Sequence, residues 1–438
     1  MFKIKKGLDI PISGKPSNEL TDKPTSNNVG VIASDYVGMK PTMLVKIGDQ
    51  VSLGQKLIED KKNPGVFITS PATGVVKNIN RGEKRAFISM EIEKNSLAEP
   101  IIFNNFIENN DYKSLLLESG YWNLFKTRPF NRTPRINEEP DSIFINLCDS
   151  NPLSINPKNI IDLEIDSFNK GMEFINNFFS CPIHCCYSDN NIARDIDNIN
   201  YHQFTGPHPS GLTGTHINYV QPVSIENKAW TIGYQEVISL GHLLINGTLK
   251  THKYISIGGP SVSKPSLLNV QIGGNIDEIT AGKVNEDARI ISGSVLNGHE
   301  SEGVMNYLGL FHNQISAIPD EYNDIFLNWL MPGTKLHSKL NVFLSSFIKP
   351  ESFTFNTATN GANRAIVPVN SYDEIMPMDI LVPQFLKALV IADIETSVDL
   401  GMLDLIDEDL ALCSYVCPSK YDYGSIIMSN LDKIYSEL

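Results

Sequence analysis

Three short motifs between residues 48 and 76 constrain the fold more than anything else in the chain: Gly48-Asp49-Gln50-Val51, Gly54-Gln55-Lys56-Leu57 and Ser70-Pro71-Ala72-Thr73-Gly74-Val75-Val76. Turn residues separate short runs of alternating character, which is the pattern of β-hairpins. The spacing predicts two hairpins folded against each other, with Lys61, Lys62 and Asn63 in an exposed turn at one tip.

This stretch resembles the β-hammerhead of biotin and lipoyl carriers. In those carriers the modified lysine stands eight residues before the proline of the last motif, and that position is Asn63 here. An amide side chain cannot be biotinylated or lipoylated. The expectation is an unmodified structural hammerhead over about residues 28–95, with a carrier using Lys61 or Lys62 as the weaker alternative.

The chain has 438 residues, enough for about three or four domains of ~100 to 150 residues each. Fifty acidic side chains against 36 basic ones give a formal charge of -14, which opposes binding to a phosphate backbone, so no nucleic-acid partner is expected. The start, MFKIKKGLDIPISGKP, lacks the apolar core of a signal peptide, and no run approaches the ~20 apolar residues of a membrane span. A cytoplasmic chain able to dock on a membrane complex is expected. Six clustered cysteines are too few for a disulfide scaffold.

Beyond the hammerhead the pattern alternates. A strand at Ile143 to Cys148 is followed by Ile165, Phe168, Met172, Ile175 and Phe179 at helical spacing, and then by a strand near Pro182 to Tyr187. A further strand at Ala229 to Gly233 leads into a helix carrying Val237, Leu240 and Leu244 on one face, then into Tyr254 to Ile257. Strands separated by helices favour a Rossmann-like parallel sheet. A nucleotide site on such a sheet would need a glycine-rich strand-to-helix turn. The segment Leu117 to Phe130 holds one glycine followed by bulky residues, so NADH binding by this chain is not expected.

Ile272 to Ile279 reads as a strand, a turn and a short helix capped by Asn275 or Asp277, suiting a β-grasp-like module of the SLBB type. The remainder reads as helical. Ser371-Tyr372-Asp373-Glu374 has capping-box spacing, and Leu381, Phe385 and Leu389 fall on one face. The expected organisation is therefore a multi-domain α/β chain: residues 1–110 with the hammerhead, 111–252 Rossmann-like, 253–330 β-grasp-like, and 331–438 mainly helical.

Taken together, Lys5-Lys6-Gly7-Leu8-Asp9, Gly38-Met39-Lys40-Pro41-Thr42-Met43, Asp60 to Val66, Thr127-Arg128-Pro129-Phe130, Gly206 to His216, Ile291 to Leu296 and Cys417-Pro418 carry a resemblance that runs in order through nearly the whole chain. The chain resembles the NqrA family of the sodium-translocating NADH:quinone reductase and, more distantly, the cysteine-ligated RnfC component of the Rnf complex. The resemblance implies a peripheral subunit on the inner face of the bacterial inner membrane. It implies five other subunits as partners, mainly the membrane subunit NqrB, and ubiquinone as substrate. NADH, FAD, FMN, riboflavin and the iron-sulfur centres would belong to other subunits, with no cofactor on this chain. A purely structural scaffold without a quinone site is the alternative.

Among individual residues, Cys413 and Cys417 resemble the remnant of the Rnf relative's cluster motif. A four-iron cluster needs four thiolates and only this pair is present, so buried core thiols are expected. Cys181, His184, Cys185 and Cys186 could bind zinc only if they converged. Strand alternation sends Cys181 and Cys185 to one face and His184 and Cys186 to the other, so no metal is expected. The segment Gly206 to His216 reads as an exposed loop rich in donors. His208, Thr213 and His216 are quinone-site candidates there, with Phe204, Tyr219 and Trp230 as apolar surround and Arg128 as an anion holder or a surface ion pair. No catalytic side chain is expected.

Overall fold

The computed structural model describes residues 1–188, 196–320, 332–362, 364–367 and 369–438. The described residues form a mixed α/β structure with four sheets and several hydrophobic cores.

The hammerhead region forms an antiparallel sheet of Asn28–Ile32, Phe87–Lys94, Gly74–Arg81 and Gln50–Val51, with a second one of Pro41–Met43, Lys56–Asp60 and Phe67–Thr69. Alternation turns Val29 and Val31, and Met90 and Ile92, inward, and a register irregularity between Lys56 and Ile58 buries the consecutive Leu57 and Ile58 together with Val51 and Ile68 in the same core. The turn at 61–65 sits at a hairpin tip with Lys61 and Lys62 exposed. Asn63 is held, however: its Nδ2 donates to the Pro134 carbonyl at 2.8 Å and its Oδ1 accepts from the Ile136 amide at 3.3 Å.

The central sheet runs in the order Phe2–Lys3, Ile199–Thr205, Ile183–Tyr187, Ser142–Leu147, Ala229–Gly233, Lys126–Arg128. Its pairings are parallel except at the last, antiparallel edge. Helices Ile165–Phe178 and Tyr234–Asn246 cover one face. They approach so closely that a Cβ on Gly241 would lie 1.7 Å from the Ser167 carbonyl oxygen, which requires glycine at that crossing. Phe168 and Val237 are buried beneath them, and Phe168→Ala would cost about 3 to 5 kcal/mol. Helix Thr213–Val220 covers the opposite face over Phe144, Cys186 and Phe204.

A second six-stranded sheet is mixed: His299–Glu300, Ala288–Ser292, Gln314–Pro319, His252–Gly258, Ser266–Gln271 and Leu20–Asp22. Helix Ile276–Thr280 is capped by Asn275, whose side chain accepts from the Glu278 amide at 3.1 Å. Residues 2–22 thus lend a strand to each six-stranded sheet, and Ile10 packs among the C-terminal helices.

The C-terminal helices include Ser371–Ile375, Val382–Val390, Ile394–Asp399, Ala411–Val416 and Tyr423–Glu437. Two local expectations are corrected here. The N-cap of the first is Asn370, whose side chain makes no capping hydrogen bond, so Ser371 lies inside the helix and is buried, and the expected capping box does not form. Leu381 is the N-cap of the next helix and is exposed, so it does not share the buried face of Phe385 and Leu389. The expected boundary at 330/331 lies outside the described residues.

Candidate functional site

The Gly206 to His216 segment is not an exposed loop. His208 and His216 are 2% and 0% exposed, and Ser210 and Thr215 are buried with them. The segment joins strand Ile199–Thr205 to helix Thr213–Val220 and is covered by residues 7–9 and by Ser150, so its buried polar atoms find partners within the protein. His208 donates its amide to Asp9 Oδ1 at 2.8 Å, and its Nδ1 lies 3.0 Å from Ser150 Oγ. His216 Nε2 donates to the Ser210 carbonyl at 2.9 Å, with its ring against Phe204 at 4.2 Å between centroids. Burial pushes both imidazoles down to about 4, so both are neutral at pH 7.

The expected apolar surround also divides. Phe204 and Trp230 belong to cores on opposite faces of the parallel sheet, because register pairs Trp230 with Ile143, whereas Phe204 shares the Phe144 face. Trp230 is 1% exposed, edge-on to Trp122, and cannot reach the His208 and His216 side.

Arg128 is a buried rather than a surface cation. Its guanidinium reaches Asp409 Oδ2 at 3.3 Å and Glu408 Oε1 at 3.1 Å. Arg128 and Thr213 do share a cavity of about 330 Å³, walled also by Asp149, Glu236, Lys126 and His312. Thr213 Oγ1 accepts from Asn146 Nδ2 at 3.0 Å. Desolvation perturbs the charges around the cavity. Asp35 and Asp149 are pushed up to about 6 and Lys126 down to about 8, in each case mainly by desolvation. Such a polar chamber solvates ions and water better than it holds an apolar ring.

A second cavity of about 480 Å³ has the opposite chemistry. Ile10, Ile12, Leu336, Phe343, Phe353 and Phe355 wall it, with His337, Tyr415 and Lys420 supplying polar groups. His337 Nδ1 lies 2.6 Å from Tyr415 Oη, and its ring faces Phe353 and Phe355 at 5.3 and 5.7 Å. Burial lowers the pKa of His337, favouring the neutral ring. With Tyr415 donating to Nδ1, Nε2–H is left as a hydrogen-bond donor. Cys417 forms part of the same wall. Burial alone would raise its thiol pKa, but hydrogen bonds from Tyr372, Tyr423 and backbone amides outweigh that and hold it below the usual thiol range. Cys413, by contrast, is raised by burial and inert. None of the six cysteines is disulfide-bonded. Sequence reasoning missed His337, Phe353, Phe355 and Tyr415, which lie up to 78 residues apart with no periodic signal to join them.

The cysteine and histidine cluster divides across its strand. Ile145 pairs with Cys185 over one core and Asn146 with Cys186 over the other, and His184 contacts Phe144 and His202. Among the described residues no group of three or more histidine, cysteine or acidic side chains is placed to hold a metal. Among them, too, no helix is long and apolar enough to cross a membrane.

Three family models match in succession: the NqrA N-terminal barrel-sandwich hybrid domain over residues 2–95, the NqrA second alpha/beta domain over 107–249, and the NQRA C-terminal domain over 254–303. The chain is 42% identical over 448 residues to the NqrA component of the Na(+)-translocating NADH-quinone reductase of Neisseria meningitidis serogroup B, covering all of both chains. The chain belongs to this NqrA family. Family members from Psychromonas ingrahamii and Cellvibrio japonicus, named as the same component of that reductase, are each 41% identical, again over the full length of both chains. The NqrA relatives therefore align with the hammerhead, the parallel sheet, the mixed sheet and the C-terminal helices alike.

Proposed function

We propose that the chain serves as the cytoplasmic-side NqrA component of a Na+-translocating NADH:quinone reductase, seated on the inner face of the bacterial inner membrane. Its partners there are the five other subunits, mainly the membrane subunit NqrB. It contributes to ubiquinone binding, while NADH oxidation and electron transfer through FAD, FMN, riboflavin and iron-sulfur centres proceed on the other subunits. The end-to-end likeness to relatives of that description carries the reading.

The quinone contact fits the apolar cavity better than the Gly206 to His216 segment. A quinone ring needs flat apolar walls and donors for its carbonyl oxygens. Phe353 and Phe355 are such walls, and His337 Nε2–H and Lys420 are such donors, with Tyr415 fixing the His337 tautomer. The chain's own part is to desolvate and orient the ring.

The test is NADH-driven ubiquinone reduction in membranes lacking the chain, run beside NADH oxidation by an artificial acceptor that takes electrons at the entry flavin. Loss of quinone reduction alone, with the other subunits assembled, supports the reading, and collapse of assembly makes scaffolding the role of the chain. In the assembled complex, Tyr415→Phe, which releases the His337 tautomer that presents Nε2–H, should raise the quinone KM about fivefold, the equivalent of one hydrogen bond of ~1 kcal/mol, and leave the artificial-acceptor rate unchanged. An unchanged KM in both Tyr415→Phe and Phe355→Ala moves the quinone out of this cavity.

A further inference from the structure

Residues 332–349, PGTKLHSKLNVFLSSFIK, depart from the rest of this acidic chain: three lysines, a histidine and no acidic residue. The segment also concentrates exposed apolar surface. Leu340, Val342, Leu344, Phe347 and Ile348 are all exposed, Phe347 at 80%. Apolar side chains left in water at this density mark an interaction surface. The cations set its character. Lys339 pairs with Glu374, whereas Lys335 and Lys349 are exposed and form no ion pair with the described residues.

We propose that this face is a lipid-contact surface that seats Phe347, Ile348 and Val342 among the acyl chains of an anionic bilayer, with Lys335 and Lys349 at the headgroup phosphates. Large apolar residues flanked by lysines partition into the interface through burial of the apolar tips and attraction of the cations to anionic lipid. Opposite charge favours lipid phosphate over an apolar protein partner, which would leave both ammonium groups unanswered. The helix in the segment, Ser345–Ile348, spans four residues, so the contact is a shallow loop insertion. Leu340 is at once exposed here and part of the wall of the 480 Å³ cavity, as are Leu336 and Phe343 in part. The lipid-facing edge is therefore also the rim of the apolar cavity, and an apolar molecule dissolved in the bilayer would meet the cavity without crossing bulk water. This inference stands apart from the quinone reading, because it concerns lipid alone.

The experiment is co-sedimentation of the purified full-length chain with quinone-free vesicles of phosphatidylcholine, with and without phosphatidylglycerol. Binding to the anionic vesicles is expected, weakening as salt rises. Phe347→Glu with Ile348→Glu should lower the partition coefficient at least tenfold. Lys335→Glu with Lys349→Glu should lower it on anionic vesicles only, by roughly fivefold for each lysine removed. All four positions are exposed, and an unchanged unfolding temperature confirms the fold of each variant. In a Phe347→Trp variant, the added emission should shift to the blue and be quenched by brominated acyl chains. Absence of vesicle binding, or equal binding by the wild type and both double variants, overturns the proposal. So does loss of assembly with the membrane subunits in Phe347→Glu without any vesicle binding by the wild type, which makes the patch a protein interface.

Discussion

Arg128 and Asp409, 281 positions apart, meet as a buried ion pair: Nη1 to Oδ2 is 3.3 Å, and neither side chain is more than 3% exposed. Asp409 also accepts from the Ile406 amide at 2.9 Å and packs its other oxygen against Gly214, where a Cβ would lie 2.3 Å away. One carboxylate thereby fixes the C-terminal helices to the parallel sheet and to the start of helix Thr213–Val220. Removing one partner of a buried pair strands the other charge, so Arg128→Met should destabilise the protein by about 3 to 5 kcal/mol in denaturant unfolding. Adding Asp409→Leu should recover a large part of that loss. A double variant destabilised by the sum of the Arg128→Met and Asp409→Leu losses would show that the two residues act independently.

His208 and His216 give stability a definite pH dependence. Their pKa values are depressed to about 4 by burial, so the stability they confer is fully present above the unfolded value of about 6.5 and is lost as pH falls through 4. The contribution is up to about 3 kcal/mol for each. Nuclear magnetic resonance of ring-labelled histidine should show both neutral down to about pH 4. A midpoint near 6.5 for either would contradict its burial.

Asp35 acts in the opposite direction. Burial outweighs the Leu310 amide and the charges of Lys126 and Lys253 and raises its pKa to about 6, so its contribution is present below about 3.8 and lost as pH rises through 6. Against the wild type, Asp35→Asn should remove that downward slope, worth up to about 3 kcal/mol, between about pH 4 and 6.5. Parallel stability profiles for the two proteins would locate the proton uptake elsewhere.

The hammerhead turn is predicted to stay bare. An intact mass equal to that of the polypeptide is expected, since Asn63 cannot be acylated. Even Asn63→Lys, co-expressed with a biotin ligase, should remain unmodified. The turn is docked on residues 134–136 and does not project as a free arm. Asn63→Ala should cost about 1 kcal/mol by orphaning the Ile136 amide. Mass gained by Asn63→Lys would mean that this docking opens in solution.

The short-range features are legible in the sequence itself. Turn residues and alternation in residues 48–76 identify short antiparallel strands, of which Lys56–Asp60 and Phe67–Thr69 form a hairpin while Gln50–Val51 and Gly74–Arg81 pair around it, and helical spacing of Phe168, Met172 and Ile175 identifies the long helix over the parallel sheet. Alternation alone separates Cys185 from Cys186, because side chains on a strand point to opposite faces whatever surrounds them. The family likeness was equally legible, as ordered motifs need no packing to be read. Tertiary structure alone decided burial and partnership between distant segments. The histidines of the Gly206 to His216 segment have the composition of an exposed loop, yet chain entering from residues 2–9 covers them. Arg128 gives no sign of its partners 280 and 281 positions away, and the aromatic cavity is assembled from Ile10, His337, Phe353 and Tyr415, which share no period. Local patterns carry local geometry, whereas burial of a charge or closure of a cavity depends on which remote surfaces the whole chain brings together.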